Sequence, residues 1–207
     1  MEENVPKSFV PLLAAAALGV AACLTAPAAR AVEVRAGVLR VDYPALLPIS
    51  RYDLRPDDLA FAGAVLADED NATTGRFMGH SFETTTLAVP PEGATEALAG
   101  LLDDGVRYIV VDAMREELAA LSDQAAEAGA LVFNARAADV DLRSESCRAN
   151  LLHIAPSYAM QAEAVAQFAV WKQWKRWLLV SGSTPADRAL AEAYRHAARK
   201  FGAQIVE

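Results

Sequence analysis

The chain has 207 residues, of which 54% are hydrophobic and 22% charged, enough apolar material for one sizeable core or two small ones and too much for a disordered polymer. Its formal net charge of -8 argues against a nucleic-acid surface, because releasing counterions from phosphates takes a basic stripe and no such stripe is present. Only two cysteines, Cys23 and Cys147, occur, and with cleavage after residue 31 no intrachain disulfide can form.

The first element is an apolar leader. No charge stands between Ser8 and Ala29, and Ala29-Arg30-Ala31 closes the stretch with the small-x-small triplet that signal peptidase reads, so residues 1–31 are expected to be a signal peptide. Val20-Ala21-Ala22-Cys23 resembles a lipobox, so acylation at Cys23 is the tethered alternative.

Residues 32–41 alternate apolar and polar as a strand does, and three prolines between 42 and 56 then force a loop. Asp57 and Asp58 are expected to cap a helix whose apolar face carries Leu59, Ala62, Gly63 and Leu66 and which ends near Asn71. The acidic run Asp68-Glu69-Asp70 reads as its solvated end. Strands are predicted over 81–89, 107–111, 130–133, 151–155, 177–180 and 204–206, and helices over 94–102, 116–128, 159–175 and 185–201. Regular alternation of strand and helix predicts an α/β fold with a parallel, doubly wound sheet. Trp171 and Trp174 are expected one turn apart at a helix end, where ordinary packing explains them. The chain stops at Glu207 inside a predicted strand, which reads as truncation and implies weak solute binding by these residues alone.

In such a sheet, ligands bind beyond the carboxyl ends of the strands. The loops there are Asp42-Tyr43-Pro44, Asp112-Ala113-Met114, Asn134-Ala135-Arg136 and Pro156-Ser157-Tyr158. The candidate ligand-binding residues are Asp112, Ala113, Asn134, Arg136, Ser157 and Tyr158. For Asn134 and Ser157 the competing role is structural: satisfying loop backbone and capping a helix. No catalytic elbow, zinc-binding His-Glu-x-x-His, Walker loop or dinucleotide fingerprint occurs, so neither a cofactor nor a metal is expected. His80, His153 and His196 are scattered, without metal-ligand spacing.

At Arg55-Pro56-Asp57-Asp58, Ala62-Gly63-Ala64 and Asp70-Asn71-Ala72-Thr73-Thr74-Gly75-Arg76-Phe77 the chain resembles ABC-transporter substrate-binding proteins of the type I, branched-chain-amino-acid-binding-like class. The subgroup is one associated with pyrroloquinoline-quinone-dependent alcohol dehydrogenase systems. Pro156-Ser157-Tyr158-Ala159-Met160-Gln161, continuing to Ile205-Val206, is similar to the passage from first to second lobe in that class. The resemblance implies a periplasmic protein with a flavodoxin-like first lobe over 32–175 and the start of an incomplete second lobe over 176–207. It implies closure on a small polar solute, partnership with an ABC permease and ATPase in the inner membrane, and no enzymatic step. Asp112-Ala113-Met114-Arg115 replaces the Gly-Pro-x-x-Ser-like turn usual in amino-acid binders, and Asp112 would repel a carboxylate. Two other classes fit the same pattern: a secreted α/β enzyme with catalytic residues beyond Glu207, and a sensor ectodomain.

Overall fold

The computed structural model describes residues 31–44 and 47–206, so the expected leader, apart from Ala31, and the Cys23 site lie outside the described residues. Among the described residues, strands β1 (Glu33–Val41), β2 (Ser81–Val89), β3 (Tyr108–Asp112), β4 (Leu131–Asn134) and β5 (Leu151–His153) form one sheet in the order 2-1-3-4-5. Every pairing is parallel, with β1 between β2 and β3. The strand–helix alternation predicts this sheet, because parallel neighbours need a crossover and each connection here supplies one.

Alternation along β1 puts Leu39 and Val41 on one face, both buried. They meet Ile109 and Val111 of β3, Leu98 and Leu101 of helix α2 (Ala94–Asp103), and Leu118 and Leu121 of helix α3 (Arg115–Glu127). The spacing of Ala94, Leu98 and Leu101 gives α2 a single stripe toward the sheet.

Helix α1 (Ala62–Met78) starts five residues after Asp57 and runs seven beyond Asn71. Ala60 takes a left-handed φ of 69°, which breaks the helical run predicted through Leu59, and the N-cap is Phe61 with no side-chain cap. Asp57 and Asp58 therefore do not cap it with their side chains. The helix ends at Gly79, whose φ of 69° is the left-handed cap conformation. Asp68 is not a solvated helix end: its carboxylate accepts from the backbone N (2.9 Å) and hydroxyl (2.8 Å) of Thr84 and so covers part of the edge strand β2. Gly75 makes room for this docking, since a Cβ there would lie 2.8 Å from the His80 carbonyl oxygen.

Helix α4 (Tyr158–Trp171) stops four residues short of the predicted end because Gln173 adopts a φ of 64°. Trp174 thus lies past the helix and not on it, edge-on to the ring of Phe168. Strands β6 (Arg176–Leu178) and β7 (Gln204–Val206) form a second parallel sheet, joined by helix α5 (Pro185–Phe201) with a Thr184–Asp187 capping box. Ala162 and Ala166 of α4 are buried against Ala197 of α5, with Trp177 and Phe201 packed on them, so α4 shares its core with α5.

Candidate functional site

The order 2-1-3-4-5 reverses direction between β1 and β3, and connections leaving those two strands diverge to open a crevice at their carboxyl ends. A cavity of about 320 Å³ occupies that place, lined chiefly by Arg40, Asp42, Arg55, Asp57, Asp112 and Arg136. Arg40 and Asp42 lie on one face of the extended chain and pair at 2.8 Å, with the guanidinium 4.7 Å over the Phe61 ring. Arg40 also donates to the carbonyl oxygens of Asp57 and Leu59 at 3.1 and 2.8 Å, tying the loop after β1 to the sheet. Asp112 at the end of β3 accepts from Arg136, after β4, at 3.3 Å.

Tyr43 is the platform under Arg136, whose guanidinium lies 5.0 Å from the ring centroid. Its hydroxyl donates to Glu117 Oε2 at 2.7 Å and accepts from the Met114 backbone N at 2.8 Å, next to the first turn of α3. Burial, reinforced by the Glu117 carboxylate, holds the phenol well above its ordinary pKa, so it stays protonated as a fixed strut.

Asn134 is fully buried behind the cavity. Its Oδ1 accepts from the backbone N of Arg136 (3.0 Å) and Ala137 (2.8 Å), and its Nδ2 donates to the Ala137 carbonyl oxygen (2.7 Å). Those backbone partners fix the amide orientation, so the remaining Nδ2–H must be the donor to His153 Nδ1 at 2.9 Å. The proton of His153 then sits on Nε2 and is donated to the Leu142 carbonyl oxygen at 3.2 Å. Burial first, and then the nearby Arg143 guanidinium, lower the His153 pKa below the ordinary imidazole value.

Because the folded pKa is depressed, the unfolded chain takes the proton more readily. This contribution to stability is complete above the unfolded value of about 6.5 and is lost as pH falls through the lower folded value. Calorimetry is expected to show Tm declining below about pH 6.5, with a smaller decline in His153→Gln. An NMR titration placing the His153 midpoint at or above 6.5 would refute it.

Of the six residues the sequence proposes, Asp112 and Arg136 meet in the cavity wall. Asn134 shapes the Arg136 loop from behind. Ala113 is fully buried in the first core, and Ser157, 3% exposed, caps α4 by accepting from Met160 N at 3.2 Å. Tyr158 lines a different cavity of about 440 Å³, with Asp139, Val140 and His196. Arg40 and Arg55 were not among the candidate ligand-binding residues, although Arg55 opens the Arg55-Pro56-Asp57-Asp58 element of the resemblance. Arg40 was detectable as the residue two before Asp42 on the same face of a strand end, whereas Arg55 sits in an irregular loop with no periodic signal.

The profile of the periplasmic binding protein family matches residues 60–207. The chain belongs to that family. No curated protein sequence matches it. Among solved structures, it is similar to an ABC transporter substrate-binding protein from Desulfitobacterium hafniense, with 18% identity, a TM-score of 0.65, and coverage of 84% of this chain and 49% of that one. A branched chain amino acid ABC transporter periplasmic ligand-binding protein from Burkholderia xenovorans gives 19% identity, a TM-score of 0.68, and coverage of 83% and 45%. A solute-binding protein from Rhodopseudomonas palustris, solved in complex with 4-hydroxybenzoate, gives 18%, 0.61, and coverage of 84% and 46%. The chain spans about half the length of these proteins, and at this identity they share its fold. Among the described residues, no helix is long and apolar enough to cross a membrane.

Proposed function

We propose that the protein is the solute-binding component of an ABC uptake system, exported to the periplasm and either free or anchored through Cys23. The observation that carries this reading is an ionic cavity at the β1/β3 crevice of a chain that belongs to the periplasmic binding protein family. The first unit offers one wall of a cleft, a second unit beginning with α4 offers the other, and closure around a small polar solute performs the function without a covalent step. The shared packing of α4 and α5 supports placing the passage between units near 154–157, in preference to residue 175. Permease and ATPase subunits in the inner membrane are the partners that such a component requires.

The resemblance at 70–77 adds a link to pyrroloquinoline-quinone-dependent alcohol oxidation, for which a deletion strain is expected to grow more slowly on alcohols. Fractionation of the native host is expected to place the protein outside the cytoplasm. Native mass spectrometry of that material is expected to show a non-covalent small-molecule adduct. Recovery from the cytosol, or turnover of a substrate by the purified protein, would overturn the proposal.

A further inference from the structure

We infer that the solute taken at the β1/β3 crevice is a neutral polyhydroxylated molecule, a polyol or simple sugar, in preference to an amino acid or a carboxylic acid. This inference rests on the solute-binding reading above and assigns the chemistry of its site. The cavity wall carries three guanidinium groups, Arg40, Arg55 and Arg136, and three carboxylates, Asp42, Asp57 and Asp112, so its formal charge is zero. Two of the arginines already hold an aspartate, Arg40 with Asp42 at 2.8 Å and Arg136 with Asp112 at 3.3 Å. Paired charges of opposite sign produce little net field in the cavity. Arg55 and Asp57, the remaining charges of the wall, have no ion-pair partner among the described residues, but they carry opposite signs, so a ligand ion of either charge loses hydration and meets a wall with no net counter-charge.

What the pairs do offer is unused hydrogen-bonding capacity. Arg40 has four of its five N–H groups committed, two to Asp42 and two to loop carbonyls. Arg136, by contrast, spends one N–H on Asp112 and has no other hydrogen-bond partner among the described residues, while its guanidinium lies over the Tyr43 ring. Asp112 gives one oxygen to Arg136, its side chain is 16% exposed, and its second oxygen has no hydrogen-bond partner among the described residues. Donors and acceptors therefore stand side by side in one pair. A hydroxyl is the ligand group that serves both at once, donating to the carboxylate while accepting from the guanidinium, and a polyhydroxylated molecule supplies several such groups. A carboxylate would face Asp112 wherever it approached Arg136, and an ammonium the reverse.

The test is a ¹⁵N NMR titration of the full chain at millimolar ligand, a concentration that registers weak association. The probes are erythritol, xylitol and glucose, set against L-leucine and 4-hydroxybenzoate. Saturable shifts at Asp112, Arg136 and Arg55 with the hydroxylated probes are expected. Asp112→Asn is expected to weaken the response by about tenfold, the loss of one charge-assisted hydrogen bond. Arg55→Gln, at an exposed loop position, serves as a second variant that does not depend on the Asn134 loop for its folding. Leucine or 4-hydroxybenzoate shifting these residues while the hydroxylated probes do not would overturn the inference and leave the solute-binding reading standing. No shift with any probe class would overturn the inference, whereas the solute-binding reading is tested separately by the fractionation and mass spectrometry above.

Discussion

Asn134→Ala is expected to lower the free energy of unfolding by about 3 kcal/mol, measured by urea denaturation at pH 7. The wild-type amide is wholly buried and satisfies the backbone N of Arg136, the backbone N of Ala137 and the Ala137 carbonyl oxygen. Alanine leaves those three groups without side-chain partners beside the 134–137 turn, and Ala137 is itself buried. Each orphaned group costs about 1–3 kcal/mol, partly recovered where water reaches the Arg136 side of the loop. A second variant separates lost hydrogen bonds from lost volume. Asn134→Asp keeps the two acceptor bonds but sets an oxygen against the Ala137 carbonyl and against His153 Nδ1. Protonating His153 converts the latter clash into an ion pair, so the aspartate variant is expected to recover stability as pH falls from 7 toward 5, while the alanine variant does not. A loss under about 0.5 kcal/mol in the alanine variant would mean that the turn holds without its amide.

The same turn shows how far residues reveal a site before a structure does. The strand-end rule found Asp112 and Arg136 because it depends only on where strands stop, and the apolar runs of β3 and β4 end within one residue of the predicted positions. It also collected Asn134, Ala113 and Ser157, which face the core or cap a helix, since position along the chain does not say which way a side chain turns. Arg40 was lost for the opposite reason: a charged residue inside a strand reads as solvent-facing, whereas here it is pinned by Asp42 and two loop carbonyls. Helix boundaries failed at Ala60 and Gln173, where a residue other than glycine took a left-handed backbone without the sequence signal that a glycine cap carries, and at the end of α1, where the acidic run at 68–70 was read as the helix end although the helix continues to the Gly79 cap. Where a glycine or a Thr-Pro start was available, at the ends of α5, the predicted and observed limits coincide.

Leu39→Ala is expected to cost about 2–5 kcal/mol, and its effect should be confined to the first sheet. Leu39 has no exposed surface and sits in β1, which pairs on both sides, so the cavity left by three missing carbon atoms is walled by strands that cannot collapse onto it. The core it joins is built of large aliphatics, Leu98, Leu101, Ile109, Leu118 and Leu121 among them, on two helices and the sheet. The core between α4 and α5 is different in kind. Its buried members are Ala162, Ala166 and Ala197, and Leu178 at the end of β6 and Val180 just beyond it are 72% and 85% exposed. Alanine buries little area, so at roughly 25 cal/mol per Å² this second cluster carries far less cohesion than the first. Native-state hydrogen exchange should therefore separate the two: amides of β1 and β3 exchange only on global opening, while those of α4, α5, β6 and β7 exchange through a cheaper, local opening. Leu39→Ala should lower protection across β1 to β4 and leave the α4–α5 amides at their original rates. Loss of protection in both sets by equal amounts would show one cooperative unit, and with it a molecule whose two sheets cannot open independently of each other.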